Sequence, residues 1–151
     1  MRITGKPLVP VTVLAASLSL AACSVSLGRG AEDSPEQTAA VANADITDPG
    51  WLDAIENGDR QTRSGDYWIA DSNRTYNLVG ELDNLNVTGA GVVVAAETVS
   101  YLNVAGSDVT VYVREVASVK ALGSNVRIYY LDGNPEVQDL GSGNVIDRLT
   151  N

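Results

Sequence analysis

The chain has 151 residues, a formal charge of −9, no histidine, no phenylalanine and a single cysteine. That length holds one modest domain. The composition excludes an internal disulfide framework, a Ser-His-Asp or Cys-His triad and an ordinary zinc site, and ten Lys and Arg scattered along an acidic chain make no nucleic-acid footprint.

The first segment, residues 1–22, reads as an export signal rather than as fold. Arg2 and Lys6 supply a positive start, and Leu8 to Ala22, LVPVTVLAASLSLAA, is an apolar run shorter than the ~20 residues a membrane span needs. It ends in LAAC, Leu20 to Cys23, which resembles a bacterial lipobox. The resemblance implies that Cys23 is lipidated, becomes the first mature residue and holds the protein on the outer face of the cytoplasmic membrane, in the cell envelope. The covalent lipid on Cys23 is the sole cofactor expected, and the membrane is reached through that anchor. Residues 23–43 are small, polar and without sustained periodicity, so they read as a flexible tether.

DITDPGWLDAIENGDR, Asp45 to Arg60, holds the one helix candidate. Thr47 or Asp48 serves as N-cap, Pro49 falls in the first turn, Trp51, Leu52 and Ile55 form an apolar stripe, and Asn57-Gly58 stops the helix. RSGDYWIA, Arg63 to Ala70, reads as a turn and an entering strand.

From about residue 69 to the end the sequence repeats itself. TGAGVVV, AGSDVTV, LGSNVRI and GSGNVID place Val92, Val109, Val126 and Val145 at intervals of 17, 17 and 19, the longer step coinciding with an insertion at LDGNPE, and Thr75 stands 17 before Val92. Further columns keep step: Leu82, Val99 and Val116; Leu85, Leu102 and Val119; Val87, Val104, Ala121 and Leu140. A turn column reads Arg74, Gly91, Asp108, Asn125 and Asn144. Matching columns at a fixed long interval are what stacked coils require, because equivalent side chains then lie one strand spacing apart. The expected fold of residues 44–151 is therefore all-β: a small β-solenoid, parallel β-helix-like, with coils of about 17 residues and one short helix capping its N-terminal end. An antiparallel sandwich or meander with strands every eight or nine residues is the alternative.

The run YYLDGNPEVQDLGSGNVIDRL, with its G-x-P-x-V and G-S-G-N elements, resembles actinobacterial envelope proteins of domain-of-unknown-function family three thousand and sixty, whose coils take the form G-S-x-N-x-V. The resemblance covers roughly Asn86 to Leu149. Asp108 and Gly91 stand where the pattern has Asn, and GSGNVI has valine directly after Asn144. It implies export and a repetitive β domain, and it brings no activity.

No catalytic or metal-binding set emerges. GAGVVV lacks the Lys-Ser/Thr of a phosphate loop, and the Asp-rich stretches do not match calcium-loop spacing. Glu81, Glu97 and Glu115 fall at similar offsets in their coils, which leaves a carbohydrate-active hydrolase or lyase as the alternative function. The leading expectation is a non-catalytic binding or structural module of the envelope. Its candidate face is an outward pair one repeat apart, Tyr112 and Tyr129, flanked by Arg114 and Arg127, suited to a cell-wall glycan or an envelope protein; the alternative for the two rings is a cross-strand aromatic pair that only stabilises the fold.

Overall fold

A computed structural model describes Asn43 and residues 45–150. The expected signal segment, Cys23 and the tether up to residue 42 lie outside the described residues. The elements are α1 (Pro49–Asn57), β1 (Asp59–Thr62), β2 (Gly65–Ile69), β3 (Thr75–Val87), β4 (Val93–Val104), β5 (Thr110–Ala121), β6 (Arg127–Asp132), β7 (Glu136–Asp139) and β8 (Val145–Arg148). Every strand pairing is parallel, and each strand lies beside its counterpart one repeat along the chain. This is the β-solenoid, with about five turns, and the antiparallel alternative is not adopted.

Each complete coil has three paired runs. Between β4 and β5 these are Val93–Ala96, Thr98–Val99 and Tyr101–Val104, each matched to the residue 17 further on. Side chains alternate in and out along each run, so Val94, Ala96, Val99, Leu102 and Val104 point into the coil and are buried. Their counterparts Val111, Val113, Val116, Val119 and Ala121 stack on them and are buried too. The filled interior of branched aliphatic side chains follows directly from the columns.

The ends of the repeat differ from expectation by one residue. Thr75 pairs with Val93, not Val92, and Arg127 pairs with Val145. Val145 therefore points outward and is 38% exposed, and Asn144 takes the place of the inward valine, its Oδ1 accepting from the Val126 N–H at 2.9 Å. Leu140 likewise leaves the inward column, because Ala121 pairs with Asp139. The insertion at LDGNPE adds one residue to the coil rather than two: Glu115 pairs with Asp132 and Ser118 with Glu136. The solenoid also begins earlier than residue 69, since β1 and β2 form a first coil against β3.

The turns stack as closely as the strands. Positive φ angles occur at Asn73, Gly91, Asp108, Asn125 and Gly143, so the turn column is offset by one from Arg74 and Asn144 at its ends. Asn and Asp tolerate this left-handed backbone better than other side chains do. The Asn125 amide donates to Asp108 Oδ1 at 3.2 Å, a side-chain rung along the solenoid axis. Two residues before each of these lies a row whose members Gly89, Gly106, Gly123 and Gly141 pass directly over the preceding turn; a β-carbon at Gly106 would stand 1.9 Å from the Gly89 carbonyl oxygen.

The helix starts where the sequence indicates: Asp48 is the N-cap, accepting from the Trp51 N–H at 3.0 Å, with Pro49 next. It does not cap the end of the solenoid. It lies along a lateral face, with Trp51, Ala54 and Ile46 packed in one cluster with Ala95, Tyr112 and Leu131. Leu52 is 41% exposed, because the buried stripe runs Trp51, Ala54, Ile55 at the i, i+3, i+4 spacing of a helix face.

Candidate functional site

The helix-bearing face is built from one outward row. Asn77, Ala95, Tyr112 and Tyr129 are successive partners across β3, β4, β5 and β6. In most outward rows such positions are polar or exposed; here three are covered. Asn77 is 6% exposed and its Nδ2 donates to the Ile55 carbonyl at 2.8 Å, supplying a partner to one of the carbonyls that a helix C-terminus leaves without one. Tyr112 is 9% exposed, with Trp51 stacked on it at 5.7 Å and Tyr129 at 5.6 Å between ring centroids. Burial, reinforced by the Asp48 carboxylate, pushes the Tyr112 hydroxyl up to about 12.

The expected stacking of Tyr112 and Tyr129 is therefore present, but the expected exposure of Tyr112 is not. The physical reason is the amphipathic helix, which needs an apolar row to cover its stripe and finds it there rather than at the end. Arg114 is drawn into the same clamp: its guanidinium donates to the Asp45 carboxylate and holds that carboxyl below its ordinary range. Of the four expected residues, Arg127 is exposed and Tyr129 half-buried, whereas Tyr112 is closed off by the helix and Arg114 is engaged by the segment preceding it.

The three glutamates do not line one edge. Glu81, Thr98, Glu115 and Asp132 are successive partners, so Glu81 and Glu115 share a row with a threonine between them. Glu97 lies at the corner between two runs and accepts from the Gly80 N–H at 2.7 Å. Among the described residues no group of three or more His, Cys, Asp or Glu is placed to hold a metal ion.

A second lateral face, carried by the third run of each coil, is one that sequence reasoning missed. Its outward rows are Asp66, Asn84, Tyr101, Ser118, Glu136 and Trp68, Asn86, Asn103, Lys120, Gln138. Trp68 is 62% exposed and Tyr101 is half-buried. The side chains between them are tied together: Asn103 Nδ2 donates to Asn86 Oδ1 at 3.0 Å and Asn84 Nδ2 to Asp66 Oδ1 at 2.6 Å. The Asn103 Oδ1 is buried and accepts no hydrogen bond among the described residues. The signal for this face was the alternation itself, since each member is one residue from an inward position. It was hidden because the first coil was not counted as a repeat.

Residues 100–143 match the model of a family described as proteins of unknown function, DUF3060. The DUF3060 match lies inside the segment whose G-S-x-N pattern carried the resemblance, and it takes in Tyr101, Tyr112 and Tyr129 but not Trp68. No curated protein and no solved structure matches the chain.

Proposed function

We propose that the chain is an exported lipoprotein whose β-solenoid is a non-catalytic binding or structural module displayed outside the cytoplasmic membrane on an anchor at Cys23. The observation that carries this reading is the ordered succession of a positive start, an apolar run and LAAC at the N-terminus, placed ahead of a solenoid. The interior of that solenoid is filled by stacked side chains. A filled core offers no internal cavity to a ligand, so contacts with a partner fall on the lateral faces, where rigid parallel strands hold side chains at fixed intervals. Two acyl chains suffice for stable anchoring where one does not.

The test is metabolic labelling with palmitate followed by membrane fractionation of the full-length protein. Label in the wild-type band and its loss in Cys23→Ala, with release of the protein from the membrane fraction, is the expected result. Equal labelling of both proteins, or a wild-type protein that never enters the membrane fraction, overturns the anchor.

A further inference from the structure

We propose that the lateral face bearing Trp68 and Tyr101 binds a linear polysaccharide of low charge, with sugar rings stacked on the two aromatics and hydroxyl groups met by the amides between them. This deepens the binding-module reading and rests on it for its biological setting, although the binding itself does not depend on Cys23.

The geometry is set by register. Trp68 lies in the first coil and Tyr101 in the third, two strand spacings apart and two residues apart along the run, so their Cα atoms are separated by about 12 Å. That span accommodates a disaccharide unit of an extended chain. The exposed indole and the half-buried phenol each combine an apolar face with a polar edge, which suits a pyranose ring, apolar on its C–H faces and hydroxylated at its rim. Between the two aromatics stand the second-coil residues Asn84 and Asn86, with Asn103 beside Tyr101 in the third coil; the row then runs on to Lys120 and Gln138. The Asn103 amide engages Asn86 Oδ1, so the planar Asn86 side chain is oriented and its Nδ2 remains as a donor to a hydroxyl.

Charge decides the class of partner. Lys120 stands on this face with two carboxylates, Asp66, which accepts from Asn84, and Glu136, and the whole chain carries −9. A polyanion such as a nucleic acid would be repelled. Protein interfaces centre on a contiguous apolar patch with charged residues depleted, whereas here asparagine amides separate the two rings and Asp66, Lys120 and Glu136 stand in the same rows. A weakly charged polymer rich in hydroxyls fits both conditions.

The experiment is co-sedimentation of the purified full-length protein with insoluble chitin, cellulose and peptidoglycan sacculi, together with a DNA-cellulose arm at low salt. Retention on at least one of the three glycans is expected, weakened about tenfold in Trp68→Ala and in Tyr101→Ala, restored substantially in Trp68→Phe, and unchanged in Leu52→Ala, on the exposed side of α1. Unaltered melting temperatures in the Trp68 variants establish that the loss is not unfolding. Absence of retention on all three glycans, retention that survives Trp68→Ala, or retention confined to DNA-cellulose overturns the proposal. Glycan retention by a protein that fails the palmitate test would remove the anchor and leave this face standing, and the converse result would do the opposite.

Discussion

At Gly106 the absence of a side chain is a condition of the fold rather than a source of flexibility. The turn carrying it rests on the Gly89 carbonyl, and the Gly123 turn rests on Gly106 in the same way, at 1.7 Å from an added β-carbon to the oxygen below. The clash is with backbone, so no rotamer relieves it. Gly106→Ala is expected to destabilise the protein by about 3 kcal/mol or more, read as a fall in the midpoint of urea unfolding. Gly91→Asn is the matched control: the left-handed position already holds Asn or Asp in neighbouring coils, and the side chain it meets, Asn73, ends in a movable amide. A change of less than about 1 kcal/mol is expected there. These positions were legible in the sequence as turn signals, but their alignment was misjudged at both ends. The coils there are one residue longer than 17, so a fixed period places Arg74 where Asn73 belongs, and reading the insertion as two residues places Asn144 where Gly143 belongs.

The helix is the element whose existence and limits the sequence displayed and whose location it concealed. Asp48, Pro49 and the Asn57-Gly58 stop define it locally. Its berth depends on an outward row that turns apolar, Ala95 followed by Tyr112 and Tyr129, and nothing in the helix itself points to that row across some sixty intervening residues. The stacked ring of Tyr112 provides a handle on the docked state. Its hydroxyl ionises near 10 in an unfolded chain and at about 12 in the folded one, so the folded state retains the proton more tightly in that interval. Stability is thus fully present below pH 10 and declines as pH rises from 10 toward 12. An alkaline titration followed by tyrosinate absorbance at the melting plateau and by Trp51 emission should show late ionisation coupled to release of the helix. In Tyr112→Phe the stack remains and this added alkaline sensitivity should disappear. Ionisation of Tyr112 at the ordinary value with the helix still docked would contradict the burial described.

Over the molecule as a whole, the repeat predicts a specific tolerance. Excising residues 106–122 joins Ala105 to Gly123, preserves the parity of every inward position and leaves Tyr129 to receive Trp51. That variant should unfold in one cooperative transition at a lower midpoint, since each coil stabilises its neighbours. Excising residues 106–121, one fewer, inverts inside and outside for the remaining coil and should abolish the transition in circular dichroism. The two ends are finished differently. Near the first coil, Arg63 lies over the Tyr67 ring at 5.0 Å and Arg74 over Tyr76 at 5.5 Å. At the other end Val137 and Leu140 are 45% and 66% exposed beside Glu136 and Asp139, charges that discourage pairing with a further strand.

The lateral berth of α1 also fixes an order of events during biosynthesis. Asp45 and Trp51 leave the ribosome, and on the export reading the translocon, ahead of every strand. Yet their partners Arg114 and Tyr112 follow them by more than sixty positions. The helix consequently precedes its berth in the chain, and its indole has no Tyr112 ring to stack on until β5 has emerged. A contact of such sequence separation carries a larger loop-closure cost than the steps within the coils, and Trp51 meets Tyr112 only where β3, β4 and β5 are already wound side by side.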